Sequence, residues 1–217
     1  MPISISGTAG ISGIDGSAST PALIGSDADT GFTFAAGFIG AGLNGVAARV
    51  PALHYYRLDS TLAGSNVNTA QNVFGVGVTL AASTVYDFEG MYALSKTAGT
   101  TSHTISLGFG GTATLNGIAF QVITAIAPSG LATGGTASIY EFQAASGGVV
   151  NAAQATAGMH FMALVKGTVS INAGGTFIPQ YTLSAAPGGA YSTIQGSYFN
   201  LFPLSVSGAN TSIGPWS

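Results

Sequence analysis

The sequence predicts an all-β chain: an antiparallel jelly-roll β-sandwich carrying an extended Gly/Ser-rich N-terminal arm. Three observations predict it. From Arg49 onward the apolar residues recur with period two rather than 3.6. The runs are rich in Val, Ile, Thr, Tyr and Phe, and Gly-containing turns separate them. Only Val149–Ala157 reads as helical, and it is roughly two turns long at most. Many short strands with almost no helix suit a sandwich, and no fixed internal repeat points to a solenoid.

Residues 1–48 form the arm and its connector. The start is rich in Gly, Ser, Thr and Asp, with short alternations at Ile3-Ser4-Ile5 and from Ile11 to Ile14. Such segments are weak strands that bury too little apolar surface to order alone. An arm of this kind orders against something else. Thr30–Ala48 is uncharged and near membrane-spanning length, but Gly31, Gly37, Gly40, Gly42, Gly45 and Asn44 interrupt it. It reads as a Gly-rich connector packed under neighbouring subunits, not as a transmembrane helix.

Residues 49–217 form the body. Val50, Ala52, His54, Tyr56 and Leu58 face one way, and Pro51, Leu53, Tyr55 and Arg57 the other. Further strands are expected at Val73–Leu80, Thr84–Leu94, Thr104–Phe109, Thr112–Ile126, Thr136–Phe142, His160–Ile171, Thr176–Leu183 and Tyr198–Leu204. Two of these runs, joined through Asn172-Ala173-Gly174-Gly175, predict a hairpin. In Thr112–Ile126, Ile118, Phe120 and Val122 alternate with Leu115, Ala119 and Gln121, so even the second face lacks charge. That second face is free to pack on a neighbour.

Charge sharpens this expectation. The chain of 217 residues has four Lys plus Arg and seven Asp plus Glu, 5% of its length, against about 25% in an average domain. Hydrophobic residues make up 47%, so the chain has the means to fold. Asp15, Asp27 and Asp29 lie in the arm with no base beside them, and the charges after it cancel. No charged residue lies between Lys96 and Glu141 or after Lys166. So few charges leave a surface that associates readily, and a homo-oligomer or a part of a larger assembly follows. Four cations are too few for a nucleic-acid patch. The absence of Cys excludes disulfides, thiolate metal sites and Cys nucleophiles. MPISISGTAG lacks the basic start and apolar core of a signal peptide.

The candidate chemistry is sparse. Asp87 and Glu89, at i and i+2, point to one face of a strand, as a glycosidase pair or as a polar stripe meeting Arg49, Arg57 or Lys96. Asp27 and Asp29 offer hard oxygen ligands for Ca²⁺, but the segment lacks the full calcium-loop pattern, and an Asx-turn beside Gly31 accounts for both. His54, His103 and His160 are far apart and lie in no zinc motif, so structural roles are expected. Neither G-x-S-x-G nor a phosphate-binding glycine loop is present. Asn210-Thr211-Ser212 fits a glycosylation sequon. Tyr55, Tyr56, Tyr191, Tyr198 and Trp216 would suit a carbohydrate platform where exposed, but core or interface positions are expected for most of them. No catalytic, cofactor or metal residue is assigned.

STPALIGSDADTGFTF, from Ser19 to Phe34, resembles a short segment near the N-termini of tailed-bacteriophage fibre and capsid-decorating proteins, with Asp27, Thr30, Gly31 and Phe32 matching. YDFEGMYAL, HTISLGFGGTATLNGIAF and KGTVSINAGGTFIPQYTLSAAPGGAYSTIQGSYFNLFPLS resemble the β-sandwich module of phage virion proteins. That module is similar to trimeric tumour-necrosis-factor-like jelly rolls. The resemblance implies a non-enzymatic virion component acting as a homotrimer, assembled in the bacterial host cytoplasm, without cofactor, nucleic acid or membrane. The expected role is capsid decoration, or cement, against a major capsid protein, because the chain ends soon after the sandwich. Ile11, Ile14, Leu23, Ile24, Phe32 and Phe34 are the expected anchoring residues. The alternative is a short tail fibre or adhesin that binds host glycan through loops near Tyr191 or Trp216. A more remote one is a glycan depolymerase using Asp87 and Glu89.

Overall fold

The computed structural model describes residues 20–21, 23–24, 31–35, 38–43, 46–49, 53–127, 137–208 and 210. The chain divides into two compact units, residues 1–52 with 209–217, and residues 53–208.

In the first unit, β1 (Leu23–Ile24), β2 (Gly31–Ala35), β3 (Phe38–Leu43) and β4 (Val46–Arg49) form an antiparallel meander in chain order. The stretch read as a connector therefore pairs with itself. One pair of its glycines meets across the ladder, Gly31 opposite Gly42. A Cβ on Gly31 would fall 1.9 Å from the Leu23 carbonyl oxygen, which only glycine avoids. Ile11, Ile14, Asp15, Asp27, Asp29 and Trp216 lie outside the described residues.

The second unit is an antiparallel sandwich. Its strands are β5 (His54–Arg57), β6 (Leu62–Ala63), β7 (Gln71–Asn72), β8 (Val78–Leu80), β9 (Thr84–Lys96), β10 (Ile105–Gly110), β11 (Thr114–Ala127), β12 (Ser138–Phe142), β13 (Gly148–Val149), β14 (Met159–Ala173), β15 (Gly175–Leu183), β16 (Ser192–Thr193) and β17 (Tyr198–Val206). The large sheet runs β12-β11-β14-β9, and β9 then pairs along its other edge with both β16 and β17. Outside these lie β6 and β5 respectively. The small sheet runs β13-β10-β15-β7, with β8 also on β15. The chain alternates between sheets, β9 to β10 to β11 and β14 to β15 to β17, as in jelly-roll sandwiches.

Alternation fills the space between the sheets. Phe88, Phe120 and Phe199 come from the large sheet, and Phe109 and Phe177 from the small one. Phe109 and Phe177 stack at 4.5 Å, and Phe88 meets Phe109 edge-on at 5.1 Å. Burial of each such ring is worth a few kcal/mol.

The expected run Val73–Leu80 is strand only at Val78–Leu80, and two further expectations are corrected. The stretch Val149–Ala157 contains no helix: Val149 ends β13, and Gln154 makes a bridge with His103. The expected hairpin through Asn172–Gly175 is a corner between sheets, since β14 pairs with β11 and β9 while β15 pairs with β10. Glycine makes the corner possible, because a Cβ on Gly175 would come within 2.6 Å of the Ala113 nitrogen. Tyr191 is fully buried, in keeping with the core or interface position expected for most of the candidate platform aromatics. Its hydroxyl lies 2.8 Å from His103 Nε2 and 3.3 Å from Met159 Sδ, so its polar tip is satisfied inside.

Candidate functional site

The pleat of β9 turns Tyr86, Phe88, Tyr92 and Leu94 inward, and Asp87, Glu89, Met91 and Ala93 outward. The register carries this division across six strands. One outward row reads Glu141, Gln121, Lys166, Glu89, Asn200 and Tyr55, from β12 through β11, β14, β9 and β17 to β5. The next reads Ile139, Ile123, Leu164, Met91, Tyr198 and Arg57 on the same strands. Ala125, Met162 and Ala93 flank the apolar row. Ala119, Thr168, Asp87 and Phe202 flank the polar one. Within the apolar row Ile139 is 65%, Leu164 46% and Ile123 36% exposed. Tyr55 and Tyr198, one from each row, stack at 5.9 Å. An apolar row open to water and edged by a polar row is the pattern of an interaction surface.

The charges of the second unit gather on this face. Among the described residues the one salt bridge joins Arg57 to Asp59. Lys96 is buried, and its ammonium donates to the carbonyl oxygens of Gly99 at 2.6 Å, Thr156 at 2.5 Å and Ala98 at 3.3 Å. Burial holds its pKa below the usual lysine value. The remaining four, Asp87, Glu89, Glu141 and Lys166, all point outward from the large sheet. Burial raises the Asp87 pKa, neighbouring Lys166 lowers it and Glu89 raises it further. The outward strand positions of the small sheet, such as Ser106, Gly108, Thr176, Gln180 and Thr182, carry no charge.

The structure thus sorts the residues singled out from the sequence. Asp87 and Glu89 do share a face, but their neighbouring cation is Lys166, not the expected Arg57 or Lys96, which are engaged elsewhere. The side chain of Arg49 lies outside the described residues. The two carboxylates stand side by side on an open ladder, whereas a glycosidase pair flanks a bound sugar from two sides. His54 sits on the edge strand β5, His103 is buried with Nδ1 donating to the Thr101 carbonyl at 2.7 Å, and His160 lies on β14. Among the described residues no three metal-ligating side chains cluster, and no helix is long and apolar enough to cross a membrane. In the first unit Leu23 pairs with Phe32, and Leu23, Ile24 and Phe32 are exposed. Phe34 lies on β2 opposite Ile39. Sequence reasoning missed Lys166, because the pairing of β14 with β9 is not visible in a local pattern.

A groove of about 390 Å³ opens between β5 and the small sheet, lined by Leu53, His54, Tyr56, Phe74, Val76 and Val78 among others.

No family model matches the sequence, and no curated protein matches it. Among solved structures, the chain is similar to the infectious bursal disease virus VP2 subviral particle, with 8% identity and a TM-score of 0.20, covering 85% of this chain and 46% of that one. It is also similar to the structure of the infectious bursal disease virus Gt strain, with 12% identity and a TM-score of 0.13, covering 90% and 48%. This chain spans less than half the length of either. Scores of this size equate no topology.

Proposed function

We propose that this chain is a non-enzymatic structural protein of a tailed-phage particle: a homotrimeric decoration or cement protein that reinforces the capsid. The observation that carries this reading is the distribution of charge on the sandwich. One outer face presents an exposed apolar row, and the strands of the other sheet carry no charged residue. A surface of that kind is stable in water when it is covered. A cement protein works by linkage: it binds the assembled shell, not its separated subunits, and so shifts the equilibrium toward the shell. Leu23, Ile24, Phe32 and Phe34 of the first unit are the proposed anchors.

Particles carrying the labelled protein test this by electron microscopy. Label distributed over the shell, with particles lacking the protein releasing their genome at lower temperature, is the expected result. Label confined to the tail overturns the cement role. The tail outcome is the one favoured by the aromatic groove beside Tyr56, which suits the short-fibre reading and its host glycan.

A further inference from the structure

We infer that the outer face of the large sheet docks on the same face of a second copy of this chain, about a two-fold axis that runs parallel to the strands between β14 and β9. This rests on the reading of the chain as an assembling structural protein and names the contact. The argument is complementarity of the face with itself.

Two sheets facing each other through a two-fold must have the axis in the plane between them. An axis parallel to the strands lays each row over the same row of the second copy and reverses the strand order. In the polar row Lys166 then faces the second copy's Glu89, Gln121 faces Asn200, and Glu141 faces the Tyr55 hydroxyl. These are an ion pair, an amide pair and a phenol donating to a carboxylate. In the apolar row Leu164 faces Met91 and Ile123 faces Tyr198, while Ile139 meets the aliphatic stem of Arg57. The flanking rows follow suit. Met162 faces Ala93 and Ala119 faces Phe202, large against small, and the Thr168 hydroxyl faces the Asp87 carboxylate.

Three other placements of the axis fail on charge. An axis along β14 stacks Lys166 on its own copy, and one along β9 does the same to Glu89. An axis across the strands between the two rows buries Lys166 on Leu164 and Glu89 on Met91, leaving both charges without partners. Inside one chain Lys166 and Glu89 are directly opposite in register, yet they close no salt bridge. Lys166 also neighbours Asp87, and neither carboxylate closes a salt bridge with it. Six strands about 4.8 Å apart and rows about 6.8 Å apart give the face roughly 600 Å² per copy, or roughly 1,200 Å² in all. That reaches the lower bound of stable interfaces.

The test uses the whole chain and charge reversal. Lys166→Glu alone and Glu89→Lys alone each set like charges against each other across the axis. Each is expected to weaken association about tenfold or more, read as the concentration at which mass doubles by light scattering. Mixed one to one, the two variants restore opposite charges at both contacts and reassociate as a heterodimer. Contacts within one chain cannot produce that rescue. If wild type associates but the mixture stays as weak as its components, the two-fold is wrong while the assembling reading stands. If wild type stays at 21.4 kDa at every concentration, both fail. A trimer closed through other surfaces would show the same rescue between hexamer and trimer masses.

A second measurement does not depend on those variants folding. The native chain has no cysteine, so Gln121→Cys and Asn200→Cys each place a single thiol on the face. With a thiol-directed linker matched to the sheet spacing of about 10 Å, the mixture is expected to give cross-linked pairs in excess of either variant alone. Equal yields overturn the axis.

Discussion

Tyr92 and Tyr191 are both buried phenols, but their hydroxyls meet different surroundings. The Tyr92 hydroxyl has no hydrogen-bond partner among the described residues, and burial raises its pKa well above the ordinary phenol value. The Tyr191 hydroxyl lies between His103 and Met159, and burial beside Tyr181 raises its pKa too. Removing the first hydroxyl removes a polar group that gains nothing by folding. Removing the second leaves the His103 ring nitrogen without its partner. Tyr92→Phe is therefore expected to be neutral or to stabilise by up to about 1 kcal/mol, and Tyr191→Phe to cost about 1–3 kcal/mol. Urea unfolding of the two variants decides it, and the reverse ranking refutes the argument. The sequence puts most of its tyrosines in core or interface but does not single out Tyr191. In PGGAYSTIQG a single aromatic has no periodic neighbours, so nothing local reveals which side of the sheet it takes.

The long strands were legible because alternation is a local property. β9, β11, β14 and β15 begin and end within a few residues of the runs read from the sequence. Which sheet a strand joins is not local. A glycine-rich turn serves a hairpin and a sheet-to-sheet corner equally well, so the local pattern at Gly174 points to the hairpin, the commoner of the two. The same limit hid the apolar row. Ile139, Ile123, Leu164 and Met91 come from four segments, and only the pairing order brings them together. The short β13 depends on another turn of this kind. Gly147 has φ of +57°, and a Cβ there would fall 1.7 Å from the Leu107 carbonyl oxygen, against the strand that β13 pairs with. Gly147→Ala should therefore cost about 1–3 kcal/mol, since the turn must open to admit the methyl group. Amide exchange is expected to speed up first at Val149 and Val150, whose segment docks on β10. Unchanged exchange there would show that the turn relaxes freely.

At the scale of the whole molecule, the low charge content and the self-complementary face make separable demands on the solvent. Ion pairs such as the one inferred between Lys166 and Glu89 weaken with salt, because the screening length falls from about 10 Å at 0.1 M to about 3 Å at 1 M. Burial of Ile123, Leu164 and Met91 does not weaken that way, and sulfate strengthens it. The apolar row should then supply most of the affinity and the polar row most of the choice of register. Wild-type association is expected to persist in 1 M sodium chloride and to tighten in ammonium sulfate. The penalty of Lys166→Glu should shrink in sodium chloride over the same range, because the repulsion it introduces is screened. Sedimentation equilibrium of both proteins at the two salt concentrations measures this. Complete dissociation of wild type at high salt would assign the contact to charge alone, and the exposed apolar row would need another occupant.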